Sequence, residues 1–128
     1  MALPFPIAIR PGDPVYEQIV YAVKKAVAQG LLRPGDRFPS VRGFSQDLGV
    51  NPNTVQKAFA ALVDLGILEV HAGQGCFIAA HEPGAKGDGV KRLEPLLETL
   101  VVEAAGLGLG EADVRKALAA AWQRLKKE

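Results

Sequence analysis

Asn51, Asn53, Thr54, Gln56 and Lys57 fall within seven consecutive residues of a chain that is otherwise 48% apolar. Asn and Gln carboxamides can bond the paired edge of adenine, a lysine can reach guanine or phosphate, and a threonine methyl can meet the thymine methyl. That is the chemistry of reading a surface rather than of breaking a bond. The other candidates are weaker. His71, Cys76 and His81 stand close together, but their spacing fits no standard metal site and there is no second cysteine, so Cys76 reads as a small packed hydrophobe. "GQG" (Gly73 to Gly75) and "GLGLG" (Gly106 to Gly110) lack the strand-to-helix setting and the Gly-Lys-Ser/Thr ending of a phosphate loop. No nucleophile, base and orienting group can be discerned together, so no catalysis and no cofactor are expected.

The reading residues need a frame. "PFPIAIRPGDP", Pro4 to Pro14, is too rich in proline for helix and reads as an extended lead-in. Val15, Ile19, Val20, Val23 and Val27 recur at intervals of three and four, which predicts a helix ending near Gly30. "LRPGDRFPS" is a Pro-Gly turn running to Ser40, the N-cap of a short second helix with Val41, Phe44 and Leu48 on one face. Gly49-Val50 turns the chain into a third helix, whose inward residues are Val55, Ala58, Phe59, Leu62 and Leu65. Ile67 to Val70 and Cys76 to Ala79, with a glycine-containing loop between them, predict a β-hairpin.

Helix, helix, turn, helix and hairpin is the order of a winged helix-turn-helix, in which the start of the third helix enters the major groove. On that helix Asn51 suits the N-cap and Pro52 the first position. Asn53, Gln56, Lys57, Ala60 and Asp64 then lie opposite the core face, with Thr54 at its boundary. A polar outer face and ordinary capping residues would also suit any surface helix.

Composition bounds the rest. A length of 128 residues suits one good core, or a small core domain with an appendage. A formal net charge of +1 argues neither for nor against nucleic acid. No apolar run approaches the ~18 residues of a membrane span, and no signal peptide is visible, so no membrane partner is expected and the protein is expected in the cytoplasm.

Pro14 to Ile78 resembles the N-terminal domain of the GntR family of bacterial transcription regulators. The resemblance is carried by "GLLRPGDRFPSVR", "LGVNPNTVQKA" and "GILEVHAGQGCFI" in that order and spacing. "PSVR" with "NPNTV" and a short tail resembles the YtrA subfamily. The resemblance implies that Arg42 reaches DNA from the edge of the second helix. It also implies that Asn51, Asn53, Thr54, Gln56 and Lys57 read DNA from the third, and that Gly73 and Gln74 meet the minor groove or backbone from the wing tip. Arg33 and Arg37 flank the turn before the second helix, either as phosphate contacts or as solvated charges. Many relatives carry Arg where this chain has Pro52 and Gln56, which removes one guanine contact. Gly43 stands where an acidic or long residue is usual and weakens its helix by about 1 kcal/mol relative to Ala.

The expected organisation is mainly α with a small β-hairpin. Residues 1–81 form a winged helix-turn-helix, 82–90 a Gly-rich linker and 91–128 a two-helix dimerisation hairpin. One helix carries Leu93, Leu96, Leu97, Leu100, Val101 and Ala104, and the other Val114, Leu118, Ala121, Trp122 and Leu125. Two such helices cannot bury their stripes against each other alone. Their partner is either the winged domain of the same chain or a second copy, and the family resemblance points to a homodimer on a double-stranded DNA operator. Residues 1–81 carry seven Lys or Arg against six Asp or Glu, so one domain has little electrostatic reach and two acting together would gain by effective concentration. An unidentified small-molecule effector could act at this hairpin, although packing explains Trp122 equally well. The expected function is a sequence-specific transcriptional regulator, a repressor by family habit. The competing reading is a winged helix that binds protein instead of DNA.

Overall fold

The computed structural model describes residues 3–80 and 86–127. The chain divides into two compact units, residues 1–81 and 82–128. The first holds α1 (Val15–Ala28), β1 (Arg37–Phe38), α2 (Val41–Leu48), α3 (Pro52–Asp64), β2 (Leu68–His71) and β3 (Gly75–Ile78). The second holds α4 (Lys86–Gly106) and α5 (Glu111–Lys127).

The helices of the first unit start where side chains satisfy their orphan amides. The Ser40 hydroxyl accepts from the Gly43 amide at 3.0 Å, and Asn51 Oδ1 accepts from the Asn53 amide at 2.8 Å with Pro52 following it. Between α2 and α3, Gly49 takes a left-handed φ of 71°, a conformation with little penalty only for glycine. The buried Ser45 hydroxyl donates to the Val50 carbonyl across that turn, which fixes the angle at which α3 leaves α2.

The core closes around Phe5, Phe38, Phe44 and Phe59, with ring centroids 5.4 Å apart for Phe38 and Phe59 and 5.6 Å for Phe44 and Phe59. Ile19, Val23, Val55, Leu62 and Leu68 fill the space around them. Burying one such side chain is worth about 1.5–3 kcal/mol. Phe5 comes from the proline-rich lead-in, which is therefore part of the core and more than a leader. The Gln18 carboxamide ties the end of that arm to α1, accepting from the Arg10 amide at 2.9 Å and donating to the Arg10 carbonyl at 2.7 Å.

The hairpin is accompanied by a third strand that the sequence reading assigned to a turn. β1 pairs antiparallel with β3, in the order β1-β3-β2, with Arg37 opposite Phe77 and Phe38 opposite Cys76. Across β2 and β3, Glu69 faces Phe77, Val70 faces Cys76 and His71 faces Gly75. Phe38, Leu68 and Ile78 point into the core.

The second unit corrects one boundary. Residues 86–90, expected within a linker over 82–90, are the first turn and more of α4; residues 82–85 lie outside the described residues. Gly87 and Gly89 each cost a helix only about 1 kcal/mol, and Asp88 in the first turn suits the helix dipole. Pro95 lies inside α4, and the Thr99 hydroxyl donates to the Pro95 carbonyl at 3.1 Å. Asp113 caps α5 by accepting from the Gly110 amide at 2.9 Å, and Arg124, Lys126 and Lys127 occupy its last turn. The apolar stripes are open to solvent: Leu96 is 68% exposed, Leu97 44% and Trp122 58%. Leu93, Leu100, Val101 and Leu118 are also exposed, Val114 and Leu125 half-buried, and Ala104 is the buried residue of α4.

Candidate nucleic-acid interface

The site is built on α3. Val55, Ala58, Phe59 and Leu62 are buried and hold the helix by one face; Leu65, expected on that face, is the C-cap residue beyond the last turn and is exposed. The opposite face turns Asn53, Gln56, Lys57, Ala60 and Asp64 to solvent, and Thr54 is half-buried at the edge. Asn51 is exposed, but its Oδ1 is engaged by the cap, so its amide nitrogen is the part left to meet a ligand.

The two flanks of α3 differ. On one, Gln56 and Ala60 line an open cleft of about 340 Å³ with Ser40 and Val41 of the α2 start and Val70 and Cys76 of the hairpin. On the other, the Lys57 ammonium lies 4.0 Å from the centroid of the Tyr16 ring, a close cation–π contact with α1. Sequence reasoning missed Tyr16, because periodicity within α1 does not say which helix its first turn will meet.

Arg33, Arg37 and Arg42 are all exposed, and their surroundings differ. Arg42 stands in the first turn of α2. The Arg33 amide is bonded by the Asp36 carboxylate at 2.9 Å, which closes the Pro34-Gly35 turn. Arg37 crosses the sheet: its Nη1 donates to the Gln74 carbonyl at 2.9 Å, and its guanidinium lies 5.1 Å from the Phe77 ring centroid. Gly73 and Gln74 are exposed in the β2–β3 turn, closed by the Gln74 amide donating to the His71 carbonyl at 2.9 Å. The His71 ring packs at a tilt against Phe77, centroids 4.8 Å apart, and its Nε2 lies 3.1 Å from Glu69 Oε2.

Among the described residues no cluster of His, Cys, Asp and Glu could hold a metal; His81 lies outside them. Burial pushes the Cys76 thiol above its ordinary value, and a backbone hydrogen bond at Phe77 offsets part of that. Near neutral pH it is a protonated, weakly polar side chain suited to packing. No helix among the described residues is long and apolar enough to cross a membrane.

A capped helix presenting carboxamides, a tight turn before it and a three-stranded sheet beside it form a winged helix-turn-helix. Residues 15–78 match the gntR family of bacterial regulatory proteins. The chain belongs to that family. It is 34% identical over 96 residues to the HTH-type transcriptional repressor YtrA of Bacillus subtilis (strain 168), covering 74% of each protein. In structure it is similar to a transcriptional antiterminator from Listeria monocytogenes EGD-e, with a TM-score of 0.82 and 29% identity over 95% of this chain and 92% of that one. The DNA-binding domain of AraR in complex with operator ORX1 matches with a TM-score of 0.52 and 28% identity, over 59% of this chain and 96% of that one. As a GntR-family regulator, the chain has a DNA-binding domain of the type crystallised on operator DNA, and its mainly α fold with a small sheet is that of its neighbours.

Proposed function

We propose that this protein is a sequence-specific transcriptional repressor that binds an inverted-repeat operator as a homodimer in the cytoplasm, with α3 in the major groove. The observation that carries the reading is the outward face of α3, where Asn53, Gln56 and Lys57 are exposed around the small Ala60 on a helix whose start is capped. Carboxamides there suit adenine edges, and Ala60 lets the backbone approach. Thr54 and the Asn51 amide nitrogen flank them. Arg42 and Arg33 serve as phosphate contacts, and Gly73 and Gln74 meet the minor groove or backbone. A role in binding protein alone would favour exposed aromatic or aliphatic residues on this face; Asn53, Gln56, Lys57 and Asp64 dominate it, with Ala60 and the partly exposed Val63 at its cleft side.

The dimer reading draws on the second unit. Exposed Leu93, Leu96, Leu97, Leu100, Val101, Leu118 and Trp122 form an apolar surface that a second copy would cover, together with half-buried Val114 and Leu125. An isologous pair presents two α3 helices to a two-fold site. The relatives support the repressor and operator parts of the reading: YtrA is a transcriptional repressor, and the AraR DNA-binding domain forms a complex with an operator.

The test is selection from random duplexes at moderate salt, with an Asn53→Ala/Gln56→Ala variant in parallel. An enriched inverted repeat with half-sites about one helical turn apart, absent with the variant, is the expected result. Enrichment by neither protein rejects the major-groove roles.

A further inference from the structure

We infer that Arg37 is the positioning residue of the wing: its guanidinium fixes the β2–β3 turn in the pose that meets DNA, and does not itself neutralise a phosphate. The inference rests on the DNA-binding reading above and refines one residue of it.

Four observations converge on the guanidinium. It donates from Nη1 to the Gln74 carbonyl at the wing tip, 37 residues away in sequence. It lies over the Phe77 ring, which the His71 imidazole also meets. Strand register sets Arg37 directly opposite Phe77, so the ring contact follows from the pairing and leaves the guanidinium beside the turn. Finally, Gly75 has a φ of +114°, and a Cβ there would lie 3.1 Å from Arg37 Nη1. The positive φ by itself favours glycine at this position, and the short distance shows how closely the guanidinium passes the turn. Two hydrogen bonds brace the loop before the strand, from the Gly35 amide to the Ile78 carbonyl and from the Ile78 amide to the Asp36 carbonyl, each 2.8 Å. β1 has only two residues, so this side chain is its main reach toward the tip.

The chemistry requires arginine. A planar guanidinium can stack on a ring and donate in its own plane at once, whereas a lysine ammonium is a point charge that does one or the other. A hydrogen bond from a charged donor contributes more than a neutral one, enough to hold a short turn. The tip itself, Ala72 to Gln74, carries no Lys or Arg, so its contribution to counterion release is nil. The salt dependence of binding therefore distinguishes a positioning arginine from a phosphate-binding one.

The experiment compares wild type, Arg37→Lys and Arg37→Gln. Amide hydrogen exchange on the free proteins reads the wing directly, whether or not an operator is known. Exchange at Gln74 should quicken by about tenfold in both variants, while amides of α1 and α3 keep their protection, which also shows that the variants fold. Affinity for the selected duplex is then measured across salt concentrations. Both variants should bind about three- to tenfold more weakly, with the slope of log K against log salt unchanged, and lysine should not rescue. Unchanged wing exchange overturns the proposal even if DNA binding is confirmed. So does a slope that falls by about 0.9 in Arg37→Gln but is kept in Arg37→Lys. Failure to select any duplex would reject the functional reading and leave the exchange result to decide the wing.

Discussion

Residues 3–80 enclose a core of large apolar side chains around four phenylalanine rings, whereas in residues 86–127 most of the leucines and the tryptophan stay in water. Both regions carry apolar residues at helical spacing, so that spacing alone does not distinguish an enclosed core from an open apolar surface. What differs is the number of directions from which an element is covered. α3 meets α1, α2 and the sheet, and its inward face is fully enclosed. Two helices in sequence offer each other one flank at most, and the rest of a leucine stripe stays open.

The largest expected effect comes from the open stripe. Leu97→Asp should leave the winged unit folded and shift the protein from dimer to monomer, with operator affinity falling by about 10²–10⁴-fold as the second domain loses its effective concentration. Light scattering and a binding titration read the two consequences. A monomeric variant with wild-type affinity would erase the distinction between the regions. Phe44→Ala acts on the closed core. Phe44 is fully buried against Phe38 and Phe59, so the variant should lose about 3–5 kcal/mol, read from a urea melt. The smallest effect is expected at Gly43→Ala. Helix propensity favours alanine by nearly 1 kcal/mol, but the new Cβ would sit 3.2 Å from Ser40 Oγ, which is held in the cap. A gain of a few tenths of a kcal/mol, about 0.3, is the expected net in the same melt.

Caps, helices and the hairpin were legible because each rests on local rules: Ser40 and Asn51 accept from amides three and two residues on, respectively, and Gly49 turns the chain between two amphipathic runs. The polar face of α3 was legible for the same reason. Three features were not. β1 is two residues between a Pro-Gly turn and a proline, too short for any alternation to register. Phe5 lies among prolines with no period around it, and only the aromatic pocket formed by distant residues gives it a place. The start of α4 was hidden by Gly87 and Gly89, which mark a linker by composition and yet are tolerated in a long helix. The charged site residues show the same limit. Lys57 and Arg37 read as free cations, and each rests on a ring, Tyr16 or Phe77, that only the tertiary fold supplies.

The most direct test of the account is sedimentation of the full chain with a duplex bearing the selected inverted repeat, with the duplex in slight deficit. Two chains per duplex, bound as a preformed dimer, is the predicted result. One chain per duplex, with the free protein monomeric at micromolar concentration, would contradict it.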